Sequence, residues 1–338
     1  MTAVTTEAIA ATTTMGNLQA INEALDEAMA ADPRVFLIGE DLADPGGGVN
    51  GATRGLSTKH GKARVLDTPI SEAAIVGAAI GAAIEGQIPV AEIMIMDFIG
   101  IAMDQIVNHA AKARFMSNGR TTVPLTVRTA TFGGLGSGAT HSQSLEAWFM
   151  HVPGLKVVMP STPADMKGLL KASIFDPDPV IFIETVACYG VKGEVPTGDH
   201  IVPIGKADIK RAGTDATIVT YGRGVFDSLK AAELLASEGI DAEVLDLRTL
   251  LPLDTETILE SVGRTGRAII THHAVEFAGP GAEVAAQINS NLFGRLRAPV
   301  ERVGTRFRSI PSSTLESEVL PSPDKIAAAV RKTLEYGK

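Results

Sequence analysis

The residues able to do chemistry in this chain are acidic and imidazole side chains that stand where short apolar runs end. Glu72 closes the stretch Asp67-Thr68-Pro69-Ile70-Ser71-Glu72 and opens a run of small, oily residues from Ala73 to Ile84. A carboxylate in the first turn of a helix is a favourable charge, but holding it dry is costly, because desolvation disfavours the charged form. Glu72 is therefore the first candidate for a functional group. Glu40, Asp97-Phe98 and His141 also follow apolar runs, and α/β folds gather ligands at the carboxyl ends of their strands. His141 comes shortly after Gly133-Gly134-Leu135-Gly136-Ser137-Gly138. An imidazole there can move protons near neutral pH, or simply hydrogen-bond to loop backbone.

Several other chemistries are excluded. One cysteine, Cys188, and seven scattered histidines offer no zinc-ligand spacing. No Gly-x-Ser-x-Gly elbow follows a strand, which removes the commonest serine-hydrolase arrangement. Glycines 134, 136 and 138 imitate a dinucleotide fingerprint, but Ala-Thr-His-Ser-Gln-Ser follows them instead of an apolar helix. The net charge of -9 and the absence of any basic run longer than a pair argue against nucleic acid. A lone cysteine cannot form an internal disulfide, so a cytoplasmic home is expected. The apolar run Ala73 to Ile84 falls well short of the ~20 residues a bilayer span needs, so no membrane role is expected.

The elements that must position these groups read as repeated strand–helix units. With 338 residues, two domains are expected. Residues 1–14 are Thr/Ala-rich, lack a basic start, and read as a mobile tail. Asn17 is placed to cap a helix carrying Leu18, Ile21, Leu25 and Met29 that stops at Asp32-Pro33. Val35–Ile38 and Arg64–Leu66 read as buried parallel strands. The loop Pro45–Gly48 between them is free to approach a ligand or a neighbouring chain. Ser71 is a plausible cap for a helix from Glu72 to Gln87, whose glycines 77, 81 and 86 demand a close packing partner.

Strand Pro89–Met94, a helix from Ile99 to about Phe115, strands Pro124–Thr129 and Leu155–Met159, helix Pro163–Ile174 and strand Val180–Glu184 complete the first unit. The pattern dissolves between Cys188 and Gly205, and a smaller α/β unit follows, ending in a helix from Pro323 to Glu335. The expectation is two doubly wound α/β/α domains at 15–190 and 206–338, joined by a linker at 191–205.

The motifs also carry a resemblance. Asp-Thr-Pro-Ile-Ser-Glu at 67–72, Glu-Ile-Met-Ile-Met-Asp-Phe at 92–98, His-Ser-Gln-Ser at 141–144, Pro-Gly-Leu-Lys-Val-Val at 153–158 and Asp-Leu-Arg-Thr-Leu-Leu-Pro-Leu-Asp at 246–254 stand in the order found in a known family. The chain resembles the β subunits of thiamine-diphosphate-dependent acetoin and 2-oxoacid dehydrogenases, from about residue 15 onward. That resemblance implies a transketolase-like pyrimidine-binding domain followed by a C-terminal assembly domain. It implies Glu72 on the cofactor's aminopyrimidine, with Ile70, Met94 and Phe98 lining the pocket, and His141 assisting proton transfer and passage of the acyl unit to a lipoyl group.

It further implies an α subunit in an α2β2 heterotetramer, because no Gly-Asp-Gly motif for magnesium and diphosphate occurs here. A lipoyl acyltransferase core is the other implied partner. His272-His273 and the segment 305–311 depart from the family's pattern at the docking domain. Relatives bind a monovalent cation, such as potassium, near the segment matching Ser173, Asp176 and Asp178, with a backbone oxygen from Leu125. Pro177 and Asp178 depart from the commoner residues, so a plain helix-to-strand turn is the competing reading.

Glu92-Ile93-Met94 followed by Asp97-Phe98 favours the acetoin branch. The implied reaction cleaves acetoin to acetaldehyde and passes the remaining two-carbon unit to a lipoyl arm. A pyruvate or branched-chain 2-oxoacid dehydrogenase β subunit is the alternative. A flavoprotein-like or nucleotide-binding non-catalytic subunit, equally α/β and acidic, is the alternative of a different class.

Overall fold

The fold was described from a computed structural model, which places residues 11–336; the part of the expected tail at 1–10 lies outside the described residues. The first domain runs β1 (Thr12–Gly16), α1 (Asn17–Ala31), β2 (Val35–Gly39), α2 (Leu56–His60), β3 (Val65–Asp67), α3 (Glu72–Ile84), β4 (Ile88–Ile93), α4 (Ala111–Met116), β5 (Thr126–Thr131), α5 (Glu146–Met150), β6 (Lys156–Val158), α6 (Pro163–Ile174), β7 (Val180–Thr185) and β8 (Lys192–Pro196). The second runs β9 (Asp208–Arg211), β10 (Ala216–Thr220), α7 (Arg223–Ala236), β11 (Ala242–Asp246), β12 (Thr249–Leu251), α8 (Thr255–Thr265), β13 (Ala268–Val275), α9 (Pro280–Leu292), β14 (Glu301–Thr305) and α10 (Pro323–Glu335).

Short runs such as Val35-Phe36-Leu37-Ile38 are apolar throughout because their sheet is covered on both faces. The first sheet has the order β12-β6-β7-β5-β4-β2-β3 and the second β14-β13-β10-β11-β9. Both are parallel except at one edge, where β12 and β9 run antiparallel to their neighbours. From β2 the chain moves outward to β3, and from β4 it moves the other way to β5. The loops leaving β2 and β4 therefore diverge and open a crevice at the carboxyl edge.

The domains are less separate than the composition suggests. β12 comes from the second half of the chain yet pairs with β6 of the first sheet. One apolar cluster runs from Ile75 and Val127 through Phe149 and Met159 to Val219, Leu245 and Ile288. β1 pairs along its length with β8, from Thr12↔Pro196 to Gly16↔Lys192. Residues 12–14 of the expected tail and part of the expected linker are thus one two-stranded ribbon. Neither segment is apolar enough to announce a strand alone; each supplies the other's hydrogen bonds.

Local expectations needed three further corrections. Asn17 does not cap α1: its buried amide donates to the carbonyls of Ser161 (2.8 Å) and Cys188 (3.1 Å). Ser71 sits at the cap position of α3 without a side-chain capping bond, and the helix ends at Ile84. The helix expected over Ile99–Phe115 is a 3₁₀ turn at Met96–Ala102, a π turn at Gln105–Ala110 and then α4. The glycines of α3 find little to pack against within the chain. A Cβ on Gly77 would meet only Gln105, at 3.4 Å, and one on Gly81 or Gly86 would meet nothing. Among the described residues no helix is long and apolar enough to cross a membrane.

Candidate functional site

Three strand exits build the crevice. β2 and β3 pair in register with Gly39 opposite Asp67, and the Thr68 amide donates to the Gly39 carbonyl at 2.9 Å. Asp67 accepts from the Ala43 amide at 2.8 Å, so the first carboxylate of the hexapeptide fastens the loop after β2. Pro69 then turns the chain, and Glu72 enters α3 almost fully buried. Glu40 lies close by: burial and then the Glu72 charge push its carboxyl upward, with a backbone hydrogen bond from Ser71 opposing them. Two carboxyl groups in one partly dry place make a site that favours holding a proton.

The loop Pro45–Gly48 was expected to reach toward a ligand or another chain. It folds back on its own chain instead. A Cβ on Gly47, at positive φ, would collide with Arg54 backbone at 2.3 Å, and one on Gly48 would stand 3.1 Å from Glu92 Oε1. Asp44 stitches the loop by accepting from Ser57 and from the Thr58 amide, each at 2.8 Å.

β4 delivers the apolar wall. Met94 leaves its end half-buried, with Phe98 one turn further on. Behind Met94 lies an ionic network on three adjacent strands. Arg128 of β5 reaches Glu92 of β4 at 2.5 Å and Glu184 of β7 at 2.7 Å, and Tyr189 donates its hydroxyl to Glu184. Burial pushes the Glu92 carboxyl upward, with Arg128 opposing and Glu184 adding to the rise. The cavity beside this cluster, about 10 Å³, holds one water at most. Sequence reading used Glu92 only as part of a motif and missed Arg128 and Glu184. Their signal was a charge inside otherwise apolar strand runs.

His141 reaches the same edge. Its ring meets Phe98 edge-on, centroids 5.4 Å apart and planes at 79°, and its Nδ1 lies 3.2 Å from Thr140 Oγ1. Asp97 anchors the segment by accepting from the Gln143 side-chain amide at 2.8 Å. Burial raises the Asp97 carboxyl, while the Gln143 bonds and the His141 charge lower it. The structure thus joins Phe98 with His141 and Glu72 with Glu40. Ile70 differs, being 83 % exposed at the mouth of the crevice; within this chain it covers nothing. Beyond Gln143 and Ser144 a groove of about 1050 Å³ opens between the domains, walled by Trp148, Phe277 and Phe307.

The residues expected around a monovalent cation have protein partners. Ser173 donates to the Leu169 carbonyl at 2.7 Å, and the Leu125 carbonyl accepts from the Val180 amide at 2.9 Å. Asp176 pairs with Lys156 and Asp178 with Arg114. The segment forms a helix-to-strand turn closed by its own ion pairs. Among the described residues no group of three or more His, Cys, Asp and Glu side chains is placed to hold a metal.

Comparison with known proteins agrees with this architecture. The transketolase pyrimidine-binding domain model matches residues 13–191, and the transketolase C-terminal domain model matches residues 205–326. A structure titled as a split-gene transketolase, inactive beta4 tetramer, superposes with a TM-score of 0.78 at 24% identity, covering 96% of this chain and 99% of that one. Fold and site together define a transketolase-type protein that keeps the pyrimidine-binding and C-terminal domains. The chain is 49% identical to the acetoin:2,6-dichlorophenolindophenol oxidoreductase subunit beta of Cupriavidus necator, over 94% of this chain and 97% of that protein. It is 46% identical to the 2-oxoisovalerate dehydrogenase subunit beta of Bacillus subtilis (95% and 99%) and 44% identical to the pyruvate dehydrogenase E1 component subunit beta of the same organism (95% and 99%). It belongs to the β-subunit family of acetoin and 2-oxoacid dehydrogenases.

Proposed function

We propose that this chain is the β subunit of a thiamine-diphosphate enzyme that cleaves acetoin and passes a two-carbon unit to a lipoyl acceptor. The observation that carries the reading is the buried Glu72 carboxyl at the head of α3, beside a second carboxyl, Glu40, and in a crevice walled by Met94 and Phe98. This donor set fits an aminopyrimidine: two apolar faces and one acidic edge able to share a proton with a ring nitrogen. Thiamine diphosphate, when bound, supplies a thiazolium carbon that becomes nucleophilic on losing its proton. Glu72 holds the proton that favours this ionisation. Met94 and Phe98 orient the ring, and His141 moves protons at the substrate.

The open wall at Ile70, with the missing Gly-Asp-Gly motif, supports a site completed by an α subunit that brings magnesium and the diphosphate contacts. The chain's high identity to an acetoin-oxidising relative favours acetoin. Comparable identity to branched-chain and pyruvate relatives sustains the second reading. A few side chains, some on the partner, set this choice.

The test is co-expression with candidate α subunits, following dye reduction with acetoin, pyruvate and branched 2-oxoacids. Cofactor-dependent turnover fastest with acetoin is expected. Faster turnover with pyruvate moves the protein to the second reading, and activity that survives without thiamine diphosphate overturns the cofactor assignment. A flavin retained by the purified chain would instead favour a flavoprotein-like subunit.

A further inference from the structure

The loop that delivers His141 is held chiefly by the other domain. Gly134, Gly136 and Gly138 all have positive φ, a conformation that glycine adopts freely but does not hold by itself, because it has the most backbone entropy to lose. Glu316, in the 3₁₀ turn Ser313–Glu318 of the second domain, takes up that task. Its carboxylate is buried, accepting from the Gly134 amide through Oε1 at 2.8 Å and from the Gly136 amide through Oε2 at 2.7 Å. Alternate amides turned toward one anion make a concave nest, and charge-assisted bonds of this kind are stronger than neutral ones.

The fit is close on every side. The Ser313 amide donates to the Gly136 carbonyl at 3.1 Å, Ser137 bridges Ser312, and Arg223 Nη1 donates to the Gly133 carbonyl at 3.3 Å. A Cβ on Gly134 would overlap Arg223, and one on Gly136 would press on Ser313 at 3.1 Å. At the far end of the segment, Tyr221 of the second domain donates its hydroxyl to the buried Glu146 at 2.8 Å. Only residues 137–140 separate the Glu316 clamp from His141.

We infer that Glu316 is a positioning residue for His141: by gripping the Gly134 and Gly136 amides, the C-terminal domain sets the reach of the histidine toward Phe98 and the crevice. This rests on the reading of His141 as the proton-transfer residue. It gives the C-terminal domain a part in catalysis beyond assembly.

The test is a double-mutant cycle in the assembled α/β enzyme, combined with hydrogen–deuterium exchange over residues 133–141. Glu316→Ala is expected to speed exchange there and to lower kcat on the order of tenfold to a hundredfold, the ratio for losing a charged acceptor. In a His141→Ala background the same change is expected to lower kcat by less than about twofold, because coupled residues do not add. Glu316→Gln, keeping one acceptor oxygen, is expected to fall between, and it serves as the readout if the alanine variant does not fold. Unchanged exchange at 133–141 overturns the clamp. Equal losses of kcat in both backgrounds overturn its link to His141. A fully active His141→Ala would sink the assignment of the histidine itself, with exchange still deciding the clamp.

Discussion

Glu72 is the residue on which the chemistry turns, and its placement carries a cost of its own. A carboxylate buried at a helix start gains from the helix dipole but loses hydration, and here it faces a second acid, Glu40. Glu72→Gln keeps shape and burial while removing the shared proton. We expect assembly with an α subunit to persist and turnover to fall by roughly 10²–10⁴-fold, the range for a positioned acid or base; a fully active variant would take Glu72 off the catalytic list. Arg128 makes a second residue-scale prediction. It is the single cation between buried Glu92 and Glu184, so Arg128→Met leaves two dry carboxylates facing each other. A loss of ~3–5 kcal/mol in denaturant unfolding is expected. An unchanged midpoint would mean the two acids find other partners.

At the scale of elements, strand ends decide what their side chains can do. Glu72, Met94 and Phe98 were legible in sequence because a parallel strand reads as an apolar run, and the residue after it lands on the ligand-binding edge. The clamp on Gly134 and Gly136 was not legible, because Glu316 lies 180 residues away from Gly136 and no local pattern ties a 3₁₀ turn to a glycine loop. β13 carries a similar hidden feature. His272 is buried in its neutral form, its Nδ1 bonded to the Ala274 carbonyl and its Nε2 accepting from the Gly281 amide, and burial pushes its pKa down to about 4 from 6.5. The unfolded chain therefore takes up a proton that the folded chain refuses. The stability this histidine contributes is whole above about pH 6.5 and is lost as pH falls toward 4, up to about 3 kcal/mol. Denaturant unfolding of wild type against His272→Gln should show a difference that shrinks on acidification; a constant difference would sink the idea.

At the scale of the whole molecule, the two domains behave as one body. β12 leaves the second half of the chain to complete the first sheet, and a single apolar cluster passes between the halves. A fragment spanning residues 1–205 would lose that strand and bare Phe149 and Met159. It is expected to bind hydrophobic dye and aggregate; a soluble, cooperatively unfolding fragment would show that the first domain stands alone.

Sequence by itself determined which residues form strands and helices, the two α/β units, and the row of polar groups at the strand ends, because these follow from period, propensity and parallel-sheet geometry. It also carried the family, through motifs kept in order along the chain. Tertiary structure alone decided that the tail and linker pair as a ribbon, that Asn17 bonds across the fold instead of capping its helix, that Asp176 and Asp178 are occupied by Lys156 and Arg114, and that Glu316 grips the histidine loop. Each of these joins residues far apart in the chain, and such contacts depend on how sheets and turns meet in space.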